Sequence, residues 1–493
     1  MNYLIPLMVI IPILCALIVN VIGEKNKTTR ILSILVGIAI PIIAIVAVPG
    51  VQYFGGHNPS LISSMLPASL NGTLASMFNT GIVYVFSDFE KIFIFIMGLV
   101  AFLAVLTYFT EKKEISGPYL YLIFMGLAAV TALMLSDDIF NMYVFFEITA
   151  LTQVGIIIAT NTDENYEVAL KYLILGSVGG PMLLLGIGFI LGTIGSLNIT
   201  DIVYVLNHNL VDPLSPGLVI GFVLILFGWF YVSGLPPFHT IKSAVYSKAR
   251  PNGAAILQGF SVMCMLAFGI ALIRIFHHMP YFNQSLVLFA IIAMVLSVSM
   301  AAMQWDFRRM IAFLAVGELG FVALGMGIGT ELSITAALFQ ATNEIIISAL
   351  LFIGFGTVYY LTKTSDTRKL GGLISVNSIM AIMVLLGGFA MAGVPPFNGF
   401  MSKLMLVQAA FEAGYPELAL IAIFVSITIF FTFVKAFHTI YLQPKPAELK
   451  FAHETIPKEA LFAVGVLLVV CLILGLCPWI VTNVFSSFIG GLI

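Results

Sequence analysis

Glu147, Glu318, Glu344, Lys403 and Lys435 all stand inside runs of apolar residues, and His438 follows Lys435 by one helical turn. An ionised side chain at the centre of a bilayer costs about 2.5 to 3.5 kcal/mol on insertion scales, so such groups pair or line a water path. Burial and a charged neighbour act on ionisation in opposite senses, which lets these side chains exchange protons when a neighbour changes charge. Their even spread along the chain suits a lateral row of titratable sites better than one compact pocket. Structural readings stand beside this one. Glu147 could pair with Lys171 on the next span, and Glu318 and Glu344 could be satisfied by hydrogen bonds or helix-end arginines.

Lys403 lies in Phe397-Asn398-Gly399-Phe400-Met401-Ser402-Lys403, just after a proline pair, where an ammonium beside unwound carbonyls could bind water or switch charge. His239 follows a second proline pair and could relay a proton. Lys242, three residues later, reads either as a counterpart of Lys403 or as a cytoplasmic anchor. Lys91 and Arg274 sit near span ends and can snorkel to the interface. His277 and His278 fall in a loop expected to be solvated.

The elements that must position these groups are transmembrane helices. The 493 residues are 60% hydrophobic and 9% charged, with mean hydropathy +1.10; a soluble domain carries about 25% charge. A net charge of −2 offers no basic field for nucleic acid. Neither GxxxxGK nor a strand-flanked GxGxxG is present for nucleotide phosphates. Cys15, Cys264, Cys471 and Cys477 lie singly in apolar runs, unlike the clustered thiolates of zinc or iron–sulfur sites. No cofactor or metal site is expected in this chain, and any redox chemistry belongs to a partner.

A helix needs about 20 apolar residues to cross the hydrocarbon. The runs predict about fourteen spans, at 3–23, 31–49, 91–110, 118–136, 139–160, 168–195, 216–248 (broken), 253–276, 284–304, 310–329, 333–361, 375–412 (broken), 417–440 and 459–483. Cytoplasmic loops carry the excess of Lys and Arg. Alternate loops hold Lys25, Lys27 and Arg30; Lys112 and Lys113; Lys242, Lys248 and Arg250; Arg308 and Arg309; Lys363, Arg368 and Lys369; and Lys445, Lys450 and Lys458. The stretches 50–88 and 196–214 hold none outside the span ends. The expectation is a multi-pass protein of the cell membrane with both termini outside.

Spans 7 and 12 are interrupted by Gly234-Leu235-Pro236-Pro237-Phe238 and Gly393-Val394-Pro395-Pro396-Phe397. Proline removes a backbone donor and opens the helix ladder, which a membrane tolerates only where protein or a wet cavity satisfies the freed groups. The two motifs are crossed in opposite directions, the mark of an inverted repeat with its ion site beside the broken helices. The expected division is 1–117 (spans 1–3), 118–276 (first repeat, spans 4–8), 284–440 (second repeat, spans 9–13) and 441–493 (a loop and span 14). Strict symmetry would pair span 5 with span 10.

With these motifs in order, the chain resembles the antiporter-like subunits shared by complex I, Mrp cation/proton antiporters and membrane-bound hydrogenases. The resemblance covers about residues 85–440. It rests on Phe145-Phe146-Glu147, Ala169-Leu170-Lys171-Tyr172, Pro237-Phe238-His239-Thr240, Asp306-Phe307-Arg308-Arg309-Met310-Ile311-Ala312 and Gly399-Phe400-Met401-Ser402-Lys403. The second break, running into Lys403-Leu404 and Gln408-Ala409-Ala410-Phe411-Glu412, looks most like the MrpD type. The resemblance implies proton or cation passage, with Na+ as one candidate, along a central axis through Glu147, Lys171 and Lys403. It also implies other Mrp-like membrane subunits as partners, and a hydrogenase-like or complex I-like redox arm as a further one.

Two departures bear on that expectation. Val232 stands where the family usually has its span-7 lysine, and Met263 where it has its span-8 lysine. Glu318 and Glu344 occupy positions where relatives often carry His or Gln, and His, respectively, and Ser348 is near another common lysine. Lys242 with waters could substitute for the lost bases, the carboxylates could serve a different route or bind sodium, or the chain could be a non-conducting structural subunit. A stand-alone cation/proton antiporter is the other reading from the transporter class.

Overall fold

The computed structural model describes residues 4–24, 26–54, 82–108, 118–159, 162–449, 451–453 and 455–491. Lys25, Lys112, Lys113 and Lys450 of the basic loops, residues 3, 109–110 and 160 of the predicted spans, and most of the stretch 50–88 lie outside the described residues.

Polypeptide in hydrocarbon must satisfy its own backbone groups, and among the described residues almost the whole chain does so as α-helix. The helices are α1 (Leu4–Ile22), α2 (Lys27–Val46), α3 (Asp88–Tyr108), α4 (Tyr119–Leu135), α5 (Ile139–Ile158), α6 (Asp163–Ile194), α7 (Ile199–Asn207), α8 (Pro216–Ser233), α9 (His239–Lys248) and α10 (Pro251–Phe276). After them come α11 (Phe282–Ala302), α12 (Phe307–Ile328), α13 (Glu331–Thr362), α14 (Ser378–Ala392), α15 (Asn398–Glu412), α16 (Pro416–Phe437), α17 (Lys458–Leu476) and α18 (Trp479–Gly490). Among the described residues, twelve helices are long and apolar enough to cross a membrane. The 17-residue α4 and the α14–α15 pair, a span broken in the middle, bring the number to the fourteen expected.

The inverted repeat is visible in how corresponding elements begin, break and end. Asp138 caps α5 by accepting from Asn141 N, and Asp306 caps α12 by accepting from Arg308 N and Arg309 N. Each aspartate forms an isolated β-bridge to the segment after the second helix that follows it, Asp138 to Asn198 beyond α6 and Asp306 to Asp366 beyond α13. Both breaks begin with a left-handed glycine, Gly234 at φ +73° and Gly393 at φ +80°, a conformation that a Cβ disfavours. Both continue through a cis proline bond, Pro236-Pro237 and Pro395-Pro396. Spans 4–8 (α4 to α10) therefore map onto spans 9–13 (α11 to α16), and α5 pairs with α12.

The bases at the ends of the last helix in each half are also equivalent. Arg274, in the last turn of α10, donates to Asp137 Oδ1 at 2.8 Å, the residue just before the α5 cap. Lys435, in the last turn of α16, lies 4.8 Å from the centroid of Trp305, the residue just before the α12 cap. Each brace ties the close of a repeat to its second helix.

Helices α10, α12 and α13 form the buried centre, with every residue of α12 from Met310 to Ile328 buried. Helices α6, α11 and α16 turn apolar residues such as Leu185, Leu288 and Phe424 outward. Apolar lipid gives helices no hydrophobic reason to associate, so close packing at small residues matters more. Gly388 of α14 shows this: a Cβ there would fall inside the Phe433 ring of α16.

Four details differ from the sequence reading. Helix α6 starts five residues earlier than expected, because the Thr162 side chain caps it at Asn165 N. Span 14 ends at Leu476 rather than 483, and Pro478 starts a separate helix, α18. That helix folds back to stack Phe488 on Phe89 at 4.3 Å and to donate Ser486 Oγ to Glu331 at 2.6 Å. The stretch 50–88 contributes two antiparallel strands, β1 (Gly50–Phe54) and β2 (Ile82–Phe86). Lys242 is no loop residue: it lies within α9 and is 1% exposed.

Candidate functional site

In the second half, the break aims α15 back toward α12 and α13. Lys403, on its second turn, donates to Glu318 Oε1 of α12 at 2.7 Å and to the Met391 carbonyl at 2.6 Å. The Met391 carbonyl lies in the last turn of α14, where a helix leaves its acceptors unsatisfied. The ammonium also lies 4.7 Å from the Phe321 ring centroid. Glu318 accepts a second bond from Gln340 Nε2 at 2.6 Å, and Gln340 Oε1 accepts from Ser402 Oγ at 2.6 Å. Asn343 donates to Ser402 Oγ at 2.9 Å and accepts from Asn398 Nδ2 at 2.7 Å. The acid–base pair is thus held in a buried network that joins α12, α13 and α15.

The first half repeats the plan with other residues. Gly234 and Gly393 each face the lysine that follows the break: a Cβ on Gly234 would strike Lys242 Cγ, and one on Gly393 would lie 3.1 Å from Lys403 Cδ. Lys242 is therefore the structural counterpart of Lys403, eight residues after its glycine where Lys403 is ten. Its amine donates to Ser261 Oγ of α10 at 2.9 Å and lies 3.5 Å from the Tyr172 hydroxyl of α6. Tyr172 packs against Tyr231 of α8, with ring centroids 5.9 Å apart, and its hydroxyl lies 3.4 Å from Gln153 Oε1. Tyr231 leads on to Glu147 through Phe146, whose ring meets it edge-on at 6.1 Å. The Glu147 carboxylate lies against Gly180 of α6, where a Cβ would collide with it, and beside Tyr143.

Glu344 of α13 joins the halves. It accepts from Gln258 Nε2 of α10 at 2.8 Å, and Ser261, which holds Lys242, is one turn further along α10. Gln340, bonded to Glu318, is one turn from Glu344 on α13. At 1.5 Å rise per residue, Glu147, Glu318 and Glu344 stand about 12, 17 and 20 Å from the starts of their helices. A hydrocarbon core of about 30 Å puts all of them near mid-depth. The result is a row of polar side chains across the bundle, from Glu147 by way of Lys242 and Glu344 to Glu318 and Lys403.

Other sequence candidates lie off this row. Lys171 does not reach Glu147: it pairs with Glu167 on its own helix, with its side chain 58% exposed. Lys435, in the last turn of α16, and His438, just after that helix, are exposed, and Lys435 is the brace over Trp305. His239 is half-buried at the start of α9. Val232 and Met263 are buried apolar side chains. The sequence reading missed the neutral members Tyr172, Gln258, Ser261, Gln340, Asn343 and Ser402. Their signal was present as amides and hydroxyls inside apolar helices, but uncharged groups carry a smaller burial cost and stand out less.

A family model described as NADH:quinone oxidoreductase/Mrp antiporter, transmembrane, matches residues 136–432. An uncharacterised protein of Methanocaldococcus jannaschii is 37% identical over 488 residues, covering 98% of this chain and 97% of its own length. The D-type subunit of the Na+/H+ antiporter of Alkalihalophilus pseudofirmus is 28% identical over 363 residues, 72% of this chain and 73% of that protein. Among solved structures, a chain of the Mrp complex from Dietzia sp. superposes with a TM-score of 0.86 at 20% identity, covering 100% of this chain and 98% of that one. At that identity the likeness is one of fold.

Proposed function

Since the chain belongs to the NADH:quinone oxidoreductase/Mrp antiporter membrane family, with a Na+/H+ antiporter component among its relatives, we propose that it carries protons along the buried row as one subunit of a larger membrane complex. The observation that carries this reading is the succession of buried polar groups through both repeats, with an acid–base pair, Glu318 and Lys403, in the second and a buried amine, Lys242, in the first. Ionisable groups kept at mid-depth are costly, and proton relays are a common reason for their presence.

Lys242 answers the absence of lysine at positions 232 and 263. It places an amine next to Tyr172 and Ser261 from the far side of the break, instead of from α8 or α10. Glu147, half-buried and against α6, serves as the acid at one end of the row. Lys403, held against the opened helix end, serves at the other. The surface pair Lys171–Glu167 is placed to meet a neighbouring subunit on the outer face of α6, and His239 to conduct between the row and the cytoplasmic side. Lys435 and His438, exposed at the end of α16 and off the row, would serve a proton path only together with a neighbouring subunit.

The basic loops support a chain in the cell membrane with those loops in the cytoplasm and both termini outside. The family description spans a redox enzyme and a gradient-driven antiporter; both fit the row, and Na+ is the cation to exchange in the second. Copurification in mild detergent separates them. Redox subunits recovered with the chain indicate the first, small antiporter subunits alone the second, and isolation as a single chain a stand-alone antiporter.

A non-conducting structural role is favoured by one observation, the apolar Val232 and Met263. Proton flux into liposomes holding the purified complex, driven by a potassium diffusion potential, decides between the readings. Lys242→Met should lower the flux at least about tenfold, and Val232→Lys added to it should restore a substantial part. Unchanged flux in Lys242→Met contradicts the assignment of Lys242.

A further inference from the structure

Among the steps of the row that fixed hydrogen bonds do not cross, the one that separates the two halves lies between Lys242 and Glu344. On the first side, Lys242 ends at the Ser261 hydroxyl. On the second, Glu344 is held by the amide of Gln258. A carboxamide donating from nitrogen is a poor proton carrier, so Gln258 orients Glu344 without conducting to it. The residue at this gap is Tyr246. It lies on α9 four residues after Lys242, on the same helical face. It is fully buried, and its hydroxyl has no hydrogen-bond partner. A buried hydroxyl without a partner is unusual and calls for an explanation.

Its surroundings supply one. The Tyr246 ring meets Phe352 edge-on at 6.3 Å, and Phe352 lies on the α13 face that carries Ser348 and Glu344. The hydroxyl lies next to Ser261, with Glu344 and Cys264 among the nearby polar groups. Gln258 Oε1, one turn from Ser261, is a second buried oxygen without a partner in the same region. Two buried oxygens therefore stand between the bound amine and the bound carboxylate, with the Tyr246 hydroxyl next to Ser261.

We propose that the Tyr246 hydroxyl is the movable link that passes a proton between the two halves, a step that rests on the row reading above. The Lys242 ammonium gives a proton to Ser261 Oγ as Ser261 gives its own to Tyr246 Oη. Tyr246 in turn releases its original proton to the Glu344 carboxylate. The amine and the carboxyl become neutral, both hydroxyls are regenerated, and rotation of the two O–H bonds resets the path. No oxidant or second substrate enters.

Tyr246→Phe removes one oxygen and keeps the ring on Phe352, so the complex should assemble normally. In the liposome assay its proton flux should fall at least about tenfold with copurifying subunits unchanged, and Tyr246→His, which restores a proton carrier, should recover flux to within a few-fold of wild type. Wild-type flux in Tyr246→Phe, together with loss in Glu318→Gln, overturns the link and leaves the row reading intact. Wild-type flux in both overturns the row reading itself. Loss in Tyr246→Phe with no recovery in Tyr246→His, despite normal assembly, reassigns Tyr246 to packing and overturns the link.

Discussion

Replacing Lys403 with methionine leaves Glu318, 1% exposed, with Gln340 Nε2 as its remaining donor and no positive charge in contact. Removing one member of a buried ion pair costs about 3 to 5 kcal/mol, because the partner is left uncompensated, whereas replacing both members is often close to neutral. The geometry puts Lys403→Met at the upper part of that range, since the Met391 carbonyl loses its donor as well. Glu318→Gln should cost less, about 1 to 3 kcal/mol, because the ammonium keeps the Met391 carbonyl and the Phe321 ring. The double variant should recover about 2 kcal/mol or more relative to the sum of the two singles. Thermal and denaturant unfolding of the purified complex in one detergent at pH 7 gives the four corners of the cycle. Single costs that add to within about 0.5 kcal/mol would refute the coupling, since independent sites add to that margin.

Further outcomes follow from the same contacts. Arg274→Met leaves the buried Asp137 with the Thr200 hydroxyl but no counter-charge and should cost about 2 to 4 kcal/mol; Lys435→Met removes an exposed ammonium from the Trp305 ring and should cost about 0.5 to 1 kcal/mol, so melting curves should separate the two braces. Gly180→Ala places a methyl where the Glu147 carboxylate lies and should lower proton flux several-fold, with a smaller change in melting temperature. Arg368 holds the Asp366 carboxyl below the usual aspartate range through a side-chain hydrogen bond. Because that value is depressed, the bond's contribution is complete above the ordinary aspartate range and lost as pH falls through the folded value. Proteolysis of the loop after α13 should rise at that acid end, and Asp366→Asn should abolish the pH dependence.

The elements legible in the sequence were those with a strong physical signature. The two proline breaks, the apolar runs and the charged residues within them follow from the cost of exposed backbone and charge in hydrocarbon. Lys242 was ambiguous because its distance from the end of the span suggested an anchor; the turn at Gly234 instead brings its stem under the break and its amine inward. Lys435 lies in an equally apolar run, but which side of α16 faces the bundle is decided by packing that one sequence does not display. Span 5 pairs with span 10, so the carboxylate opposite Glu147 in the repeat is Glu318. Glu344 has a different position, at the contact between the halves. The link at Tyr246 depends on three helices meeting, and no local pattern announces it.

The central claim is that one row conducts from end to end. Its most direct test is proton flux in liposomes containing the purified complex with Glu147→Gln or Lys403→Met, the two ends of the row in opposite repeats. The account predicts that each substitution alone lowers the flux at least about tenfold while the complex still assembles. Wild-type flux in both variants would contradict it.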